Sequence, residues 1–599
     1  MARLKQVQER LRTLEAAWKR HLPDVDLPGA DYKRKADAHG GVSASEPTTS
    51  PADAEVLALP ESTPVEEPIS PPDSEYEDAD TLDWDESVDI AAVTDGMGSL
   101  SMNWKGIGYM GPQTGNTLLR KLQSISVLYM SPDEDLSLQQ SPQPEIPSQV
   151  LKSPQFTNQC IDWYFKFYHP AYPILHEGCF RAQLMGALPK PKDGSWPILL
   201  NTVLAIGAFS GDLCNQNADI HFYREASKCL SWDILQRGTL FLVQAFALLA
   251  NYLQKRNRPN SGFTLLGIAM NMAQGVGLHR EFVGPAVSIF TMELRRRVWW
   301  TMFILDSGFR LTFGRPTLSH GGMNTRLPRN LNDNDLVVDL DELPSSQNVP
   351  TVTSCLIWQA KLAKIGNKAN ERLVAKHVPD QSIMLALGEE VVQWTASLPH
   401  YMRADYNNLE SDIYVSPRMI LLWRSMHLRI IIHRPYLLQV IRERKALDFG
   451  SPKSPSSCCF TAADDCVISI LTFFSTSASH HGALIWYACY WLVTAVFVHV
   501  TCLLYEPQHE SALAWRQQIE NSTATLKWMG SFLPTAARAA QILDKIMGLV
   551  PTTPDSTFFA LNEPIRMEVA ELWNQSWANV VVPQEPSPLR WLSEIPFDQ

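Results

Sequence analysis

Residues 483–505, ALIWYACYWLVTAVFVHVTCLLY, hold no Asp, Glu, Lys or Arg over 23 positions. As a helix such a run is long enough to span a bilayer. It carries His499, Thr494 and Thr501, and it lacks the flanking Lys/Arg excess that would orient it in a membrane. In an otherwise globular chain it reads instead as a helix buried on all sides, and no membrane partner is expected. A chain of 599 residues, 45% of them hydrophobic, can bury a core large enough to surround it.

The text around it has the same character. FTNQCIDWYFKFY places Phe156, Cys160, Ile161, Tyr164, Phe165 and Tyr168 on one face. WPILLNTVLAIGAFSG, TLFLVQAFALLANYLQKRN and SGFTLLGIAMNMAQGVG follow as helix-length runs bounded by Gly, Pro or Asn. PRMILLWRSMHLRIIIHR, TAADDCVISILTFFS and TAARAAQILDKIMGLV continue the pattern. No alternating strand pattern is sustained and no fixed repeat period occurs, so the body is expected to be an all-α, multi-helix domain over residues 96–550, with a tail at 551–599.

Ahead of this body, Leu4, Val7, Leu11, Leu14 and Trp18 keep the 3-4 spacing of a coiled-coil seam in residues 1–22. With Arg10 and Glu15 placed to pair between parallel chains, the seam predicts a homodimer; a short solvated helix that stays monomeric is the alternative, because about three heptads are marginal alone. Residues 23–95 read as a disordered Pro- and acid-rich linker. Its only basic run is Lys33, Arg34 and Lys35, a weak nuclear signal. Leu82, Trp84 and Ile90, set among carboxylates, also fit an activation segment that contacts transcriptional coactivators, and a plain spacer fits equally well. In the tail, Trp573, Trp577, Trp591 and Phe597 form a weaker segment of that kind.

Charge and cysteine usage narrow the function. Residues 1–42 carry +3 and residues 43–104 carry −16 of a total of −12, so residues 105–599 come to +1. A near-neutral body has no strong phosphate-binding field. The ten cysteines form no CxxC pair and no disulfide-like framework, which suits a reducing compartment. GIGYMG at 106–111 satisfies GxGxxG, but MGSLSMNWK before it is no buried strand and Pro112 follows it, so nucleotide binding is not expected. GxSxG, HExxH and P-loop patterns are absent, and the adjacent His480 and His481 would point about 100° apart on a helix. No enzyme activity, catalytic residue, cofactor or metal ligand is expected in these residues.

The stretch ELRRRVWWTMFILDSGFRLTFGRP, residues 293–316, sets three arginines against two tryptophans. Leu294, Val298, Met302, Leu305 and Phe309 form one apolar stripe, widened by Trp299, Trp300, Phe303 and Ile304. Arg295, Arg296 and Arg297 spread over more than half the helix circumference and make no single DNA-facing stripe. Glu293 with Arg297, and Asp306 with Arg310, have the favourable i,i+4 order, and Arg296 can stack on an indole. The expectation is a packed helix with Leu294, Val298, Trp300 and Met302 buried, stopped by Gly314 and Pro316, with Arg315 a structural donor.

ELRRRVWWTMFILD, followed by FGRPTLS and preceded by NMAQGVGLHRE, closely resembles the central signature of the fungal-specific transcription factor domain, the middle homology region of zinc-cluster regulators of the galactose- and xylan-regulator type. DGMGSL, GYMGPQTGNTLL, YFKFYHPAYPILHEGCF, TRLPRN, IIIHRPYLL and AADDCVISI match in order, so the resemblance covers residues 95–510. Its signature residues in this chain are His279, Arg280, Glu293, Arg296, Arg297, Trp299, Trp300, Asp306, Gly314, Arg315 and Pro316. The resemblance implies a nuclear, DNA-binding regulator of a metabolic or secondary-metabolite pathway, whose helical domain modulates activity and can sense a small-metabolite effector. The Leu4 to Trp18 seam is similar to the family's dimerisation helix. The family's reader is a six-cysteine zinc cluster, and the first cysteine here is Cys160. A truncated start is therefore expected, with zinc bound only by an upstream cluster if one exists; a coregulator acting through protein contacts, without a DNA-binding domain, is the alternative.

Overall fold

The computed structural model describes residues 83–87, 108–111, 114–115 and 148–549, apart from breaks at 212–216, 284–286, 318–321, 376–378, 407–412 and 478–479. The seam at Leu4–Trp18, the tail, and Leu82 and Ile90 lie outside the described residues.

Sixteen α-helices and no β-strand make up the described residues: α1 Ser148–Leu151, α2 Pro154–Trp163, α3 Glu177–Met185, α4 Ser195–Gly211, α5 Ala218–Lys228, α6 Trp232–Leu235, α7 Leu240–Lys255, α8 Pro259–Gly275, α9 Ile289–Phe313, α10 Ser354–Leu373, α11 Gln381–Ala396, α12 Val415–Arg442, α13 Pro455–Thr476, α14 Gly482–Tyr505, α15 Ala512–Gly530 and α16 Pro534–Leu549. Sequence neighbours pair along the chain: α4 with α5, α7 with α8, α9 with α10, and α11 through α16 each with the next. Long-range packing of α4 on α14, and of α12 on α14, closes these pairs around a common core.

The charge-free run is α14, and it sits at that core. Of its most apolar 18-residue window, 94% is buried. Trp486, Trp491, Phe497 and Val498 face neighbours on every side, which is why the run needs no polar face. Its N-terminus is capped by His481, whose Nδ1 accepts the Leu484 amide at 3.3 Å while Nε2 bonds the Ser416 hydroxyl at 2.8 Å. Burial pushes the His481 imidazole down to about 3, so it caps as a neutral acceptor. Helix α4 passes close to two neighbours: a Cβ on Gly207 would meet the Cys160 carbonyl at 1.9 Å, and one on Gly482 the Phe209 carbonyl at 2.1 Å.

Several elements differ from the sequence reading. The face from Cys160 to Tyr168 is buried, but the chain leaves α-helical geometry after Trp163 and makes a π-turn over Tyr164–Tyr168, which crowds Tyr164, Phe165 and Tyr168 onto the core side; Phe156 is only half-buried. Helix α12 does not stop at Arg434. It runs through Pro435 to Arg442, because Tyr436, Leu437 and Ile441 are buried beyond the proline and their packing outweighs the hydrogen bond it removes. Residues 83–87, inside the stretch expected to be disordered, are seated on the body. The Glu86 carboxylate accepts the amides of Asn260 and Ser261, each at 2.9 Å, at the N-terminus of α8, where orphan N–H groups favour an anion. Arg258 also donates to the Glu86 carbonyl. Trp84 remains 43% exposed.

Candidate functional site

Helix α9 organises the middle of the body. Ser288 caps it, its hydroxyl accepting the Thr291 amide at 3.1 Å, and Gly314 ends it at φ 61, where the Arg315 amide returns to the Arg310 carbonyl at 3.0 Å. Val298, Trp300 and Met302 are buried as the spacing predicts. Leu294 is a correction: it is only half-buried, and Glu293 faces inward in its place, fully buried, accepting the Arg329 amide at 2.7 Å. A carboxylate with that many donors is better satisfied inside than a leucine at the helix edge.

The three arginines all turn back onto the protein. Arg295 donates to the Val276 and Gly277 carbonyls at 2.9 and 2.8 Å, where α8 ends, and lies 5.1 Å from the Phe282 ring centre. Arg296 does not stack on an indole; it spans Glu293, at 2.8 Å, and Glu281. Two carboxylates within reach outweigh a ring face. Arg297 is fully buried and pairs with Asp333 rather than with Glu293. Asp333 also accepts the Glu177 amide at 2.7 Å and lies 3.5 Å from His169 Nε2.

The remaining signature residues brace the ends of α9. Asp306 and Arg310 form the i,i+4 pair at 2.8 Å, and Arg310 reaches the carbonyl of the exposed Pro316 at 2.7 Å. Arg315 donates to the Tyr109 carbonyl at 3.2 Å and to Asn260, tying the GYMG segment and α8 to the helix end. Gly111 touches Gly314 so closely that a Cβ would meet its carbonyl oxygen at 2.3 Å; close backbone packing, not phosphate binding, accounts for that glycine. Gly106 lies outside the described residues. His279 is half-buried 6.0 Å from the Trp299 ring, Trp299 donates to Met323 Sδ at 3.0 Å, and the exposed Arg280 holds the Gly322 carbonyl at 2.8 Å.

Behind α9 lies a cavity of about 60 Å³, bounded by α7, α9, α10, α12 and α14. Its apolar wall is Leu305, Leu362, Ala363 and Leu428; Arg424, His427, Gln254, Tyr172 and Tyr487 supply the polar one. The hydroxyls of Tyr172 and Tyr487 meet at 2.7 Å. Arg424 donates to Gln359, which is itself held by the Ala171 carbonyl at 2.8 Å. Lys255, 1% exposed, lays its ammonium 4.1 Å from the centre of the Tyr487 ring and 4.4 Å from that of Trp486, and no acceptor reaches its Nζ. Burial, and then the Arg424 charge, hold that ammonium well below its ordinary range. Burial likewise takes His427 down to about 3.

Sequence reasoning nominated none of these cavity residues. Arg424 interrupts an apolar run, and a charge on an apolar face is the one signal that could have drawn attention to it.

Comparison with known proteins follows the same blocks. The fungal specific transcription factor domain matches residues 161–408. The chain is similar to the lactose regulatory protein of Kluyveromyces lactis, 27% identical over 363 residues, or 58% of this chain and 38% of that protein. It is also similar to a pyrrolocin cluster transcription factor from a fungal species, 25% identical with 58% and 45% covered. A third relative is the transcriptional activator protein acu-15 of Neurospora crassa, 22% identical with 49% and 32% covered. The match thus spans less than half the length of each of these relatives.

Proposed function

Since this chain carries a fungal specific transcription factor domain, we propose that it is a transcriptional regulator of a fungal metabolic or secondary-metabolite pathway and not an enzyme. It acts in the nucleus, and the helical body is its regulatory part. The observation that carries this reading is the domain match, whose most distinctive stretch folds as α9 with its charges engaged inside the protein. Names of relatives such as the lactose regulatory protein and the pyrrolocin cluster factor support a pathway role. The Leu4, Val7, Leu11, Leu14, Trp18 seam supplies homodimerisation, the segment with Leu82, Trp84 and Ile90 contacts coactivators, and a small-metabolite effector binds the body.

Tethering tests this. Fused to an unrelated DNA-binding domain, the whole chain should change reporter transcription several-fold, and residues 43–95 alone should raise it. Alanine at Leu82, Trp84 and Ile90 should lower the output of that segment. A nuclear, well-expressed fusion that leaves the reporter unchanged in both directions would remove the transcription reading.

A coregulator that acts through protein contacts is the second reading, favoured by the +1 charge of residues 105–599. Phosphate binding draws on free cations, and those of α9 are engaged. Residues 1–599, purified, should bind DNA weakly, without sequence preference, and lose that binding steeply with salt. Nanomolar, sequence-specific binding at physiological salt, measured by anisotropy, would exclude this reading in favour of a direct DNA reader.

A further inference from the structure

We propose that the cavity behind α9 binds a small uncharged polyhydroxy compound, its hydroxyls met by His427, Ser307 and Trp486 and its carbon chain laid against Leu305, Leu362 and Leu428. The inference rests on the regulatory reading above and gives the effector a chemical class.

Size and access come first. A cavity of about 60 Å³ has room for roughly four to six waters, and so for a solute with about that number of non-hydrogen atoms. Gly308, Leu311 and Arg424 in its wall keep part of their surface in solvent, and a solute enters from that side. The wall comes from five helices across the domain, so whatever fills the cavity bears on all of them at once.

Charge argues against an ion. Among the described residues no Asp or Glu lines the cavity, so a cation would find no counter-charge. Arg424, the one permanent charge in the lining, lies on the half-exposed side and is held by a neutral amide, Gln359. His427, only 4% exposed, is neutral, because burial takes its imidazole down to about 3. The buried part of the wall thus offers dipoles and no charge, and an ion would give up its hydration there without a counter-ion.

Unmet hydrogen bonds name the class. His427 Nε2 and Trp486 Nε1, both on buried side chains of the lining, have no partner among the described residues. The Ser307 hydroxyl comes no closer than 3.4 Å to the Ala363 carbonyl, and the Asn251 and Gln254 amides meet at 3.5 Å, the far edge of hydrogen bonding. Buried side chains away from the cavity close their bonds tightly, as Thr202 does on the Ile198 carbonyl and Gln244 on the Ile174 carbonyl, each at 2.7 Å. Trp486 Nε1 is a donor alone, whereas Ser307 and the His427 ring nitrogen serve in either role. A hydroxyl donates once and accepts twice, so it satisfies both kinds, and a short chain bearing two or three of them fits the space. Leu305, Leu362 and Leu428 in the same lining offer waters no bond, and a carbon chain covers them instead.

The test uses the purified full chain, with glycerol as the probe. Butyrate and butyramide match it in size and lack its hydroxyls. Sorbitol is too large to enter and reports general stabilisation by excluded solutes. Glycerol at millimolar concentration should give a saturable signal in saturation-transfer NMR and a saturable rise in the thermal midpoint, and the other three should give neither. His427→Phe keeps a ring of similar size and removes Nε2. It should weaken glycerol binding roughly tenfold, the effect of one lost hydrogen bond. The midpoint without ligand should hold or rise, since an unpartnered buried atom has gone, whereas loss of a merely structural histidine would lower it. Ser307→Ala should weaken binding as well and serves if His427→Phe fails to fold. No saturable response to glycerol, an equal response to butyrate, butyramide or sorbitol, or full binding by a folded His427→Phe or Ser307→Ala variant overturns the proposal. No DNA or reporter enters these measurements, so their failure would leave the transcription reading standing.

Discussion

Trp300→Ala will destabilise the helical body by about 3–5 kcal/mol, the usual cost of emptying a large aromatic site in a packed core. Trp300 is 2% exposed, and its indole does three things at once. Nε1 donates to the Arg326 carbonyl at 2.8 Å, the ring packs edge-on to Phe303 at 5.2 Å, and the Lys364 ammonium lies 4.9 Å from its centre. Alanine removes the volume and leaves the Arg326 carbonyl without that donor, so the loss should fall at the upper part of the range. Trp300→Phe keeps much of the volume and should cost clearly less. Urea unfolding followed by far-UV circular dichroism checks both, and an unchanged midpoint in Trp300→Ala would mean that α9 is not held by this face.

Asp333→Asn should be nearly as damaging, by about 3–5 kcal/mol, because it leaves Arg297 charged, fully buried and without its carboxylate. The double replacement Arg297→Met with Asp333→Leu should recover much of that loss, since an apolar pair of similar volume avoids the desolvation that the ion pair has to overcome. Acid should report on the same group. Burial would raise the Asp333 carboxyl, but the His169 contact and the Arg297 charge more than offset it and hold the group well below the ordinary carboxylate range. Its folded value therefore lies below its unfolded one of about 3.9. The stability it contributes is fully present above that pH and is lost as pH falls further toward the folded value. Wild type should weaken with acid below about pH 4 more steeply than Asp333→Asn does, and parallel curves for the two would show that the carboxylate is not held by its cationic neighbours.

The opening stretch of α9 shows where reading by periodicity works. A 3.6-residue repeat fixes which side chains share a face, and Val298, Trp300 and Met302 are buried accordingly. It does not say how far around the helix the core extends, and Glu293 rather than Leu294 occupies the margin. The i,i+4 rule found Asp306 with Arg310 because both partners lie on one helix. It misassigned Arg297, whose partner Asp333 opens a short 3-10 helix 36 residues further on. Arg296, expected to stack on an indole, instead takes Glu281 from ahead of the helix together with Glu293 on it. Local rules rank the partners that the helix itself offers, and a packed fold adds others at shorter range.

Seen across the chain, the sequence alone determined the helical class, the burial of α14 and the family signature, since each is written in local periodicity, in composition, or in the order of short blocks. Only the tertiary structure decided which charges meet. Gln254, Arg424 and Gly308 lie far apart in the chain, on α7, α12 and α9, and nothing in their flanking residues marks them as neighbours. Helix packing brings them to one cavity while leaving every carboxylate outside it, because interhelical contact is set by the whole core and not by the spacing within any one helix.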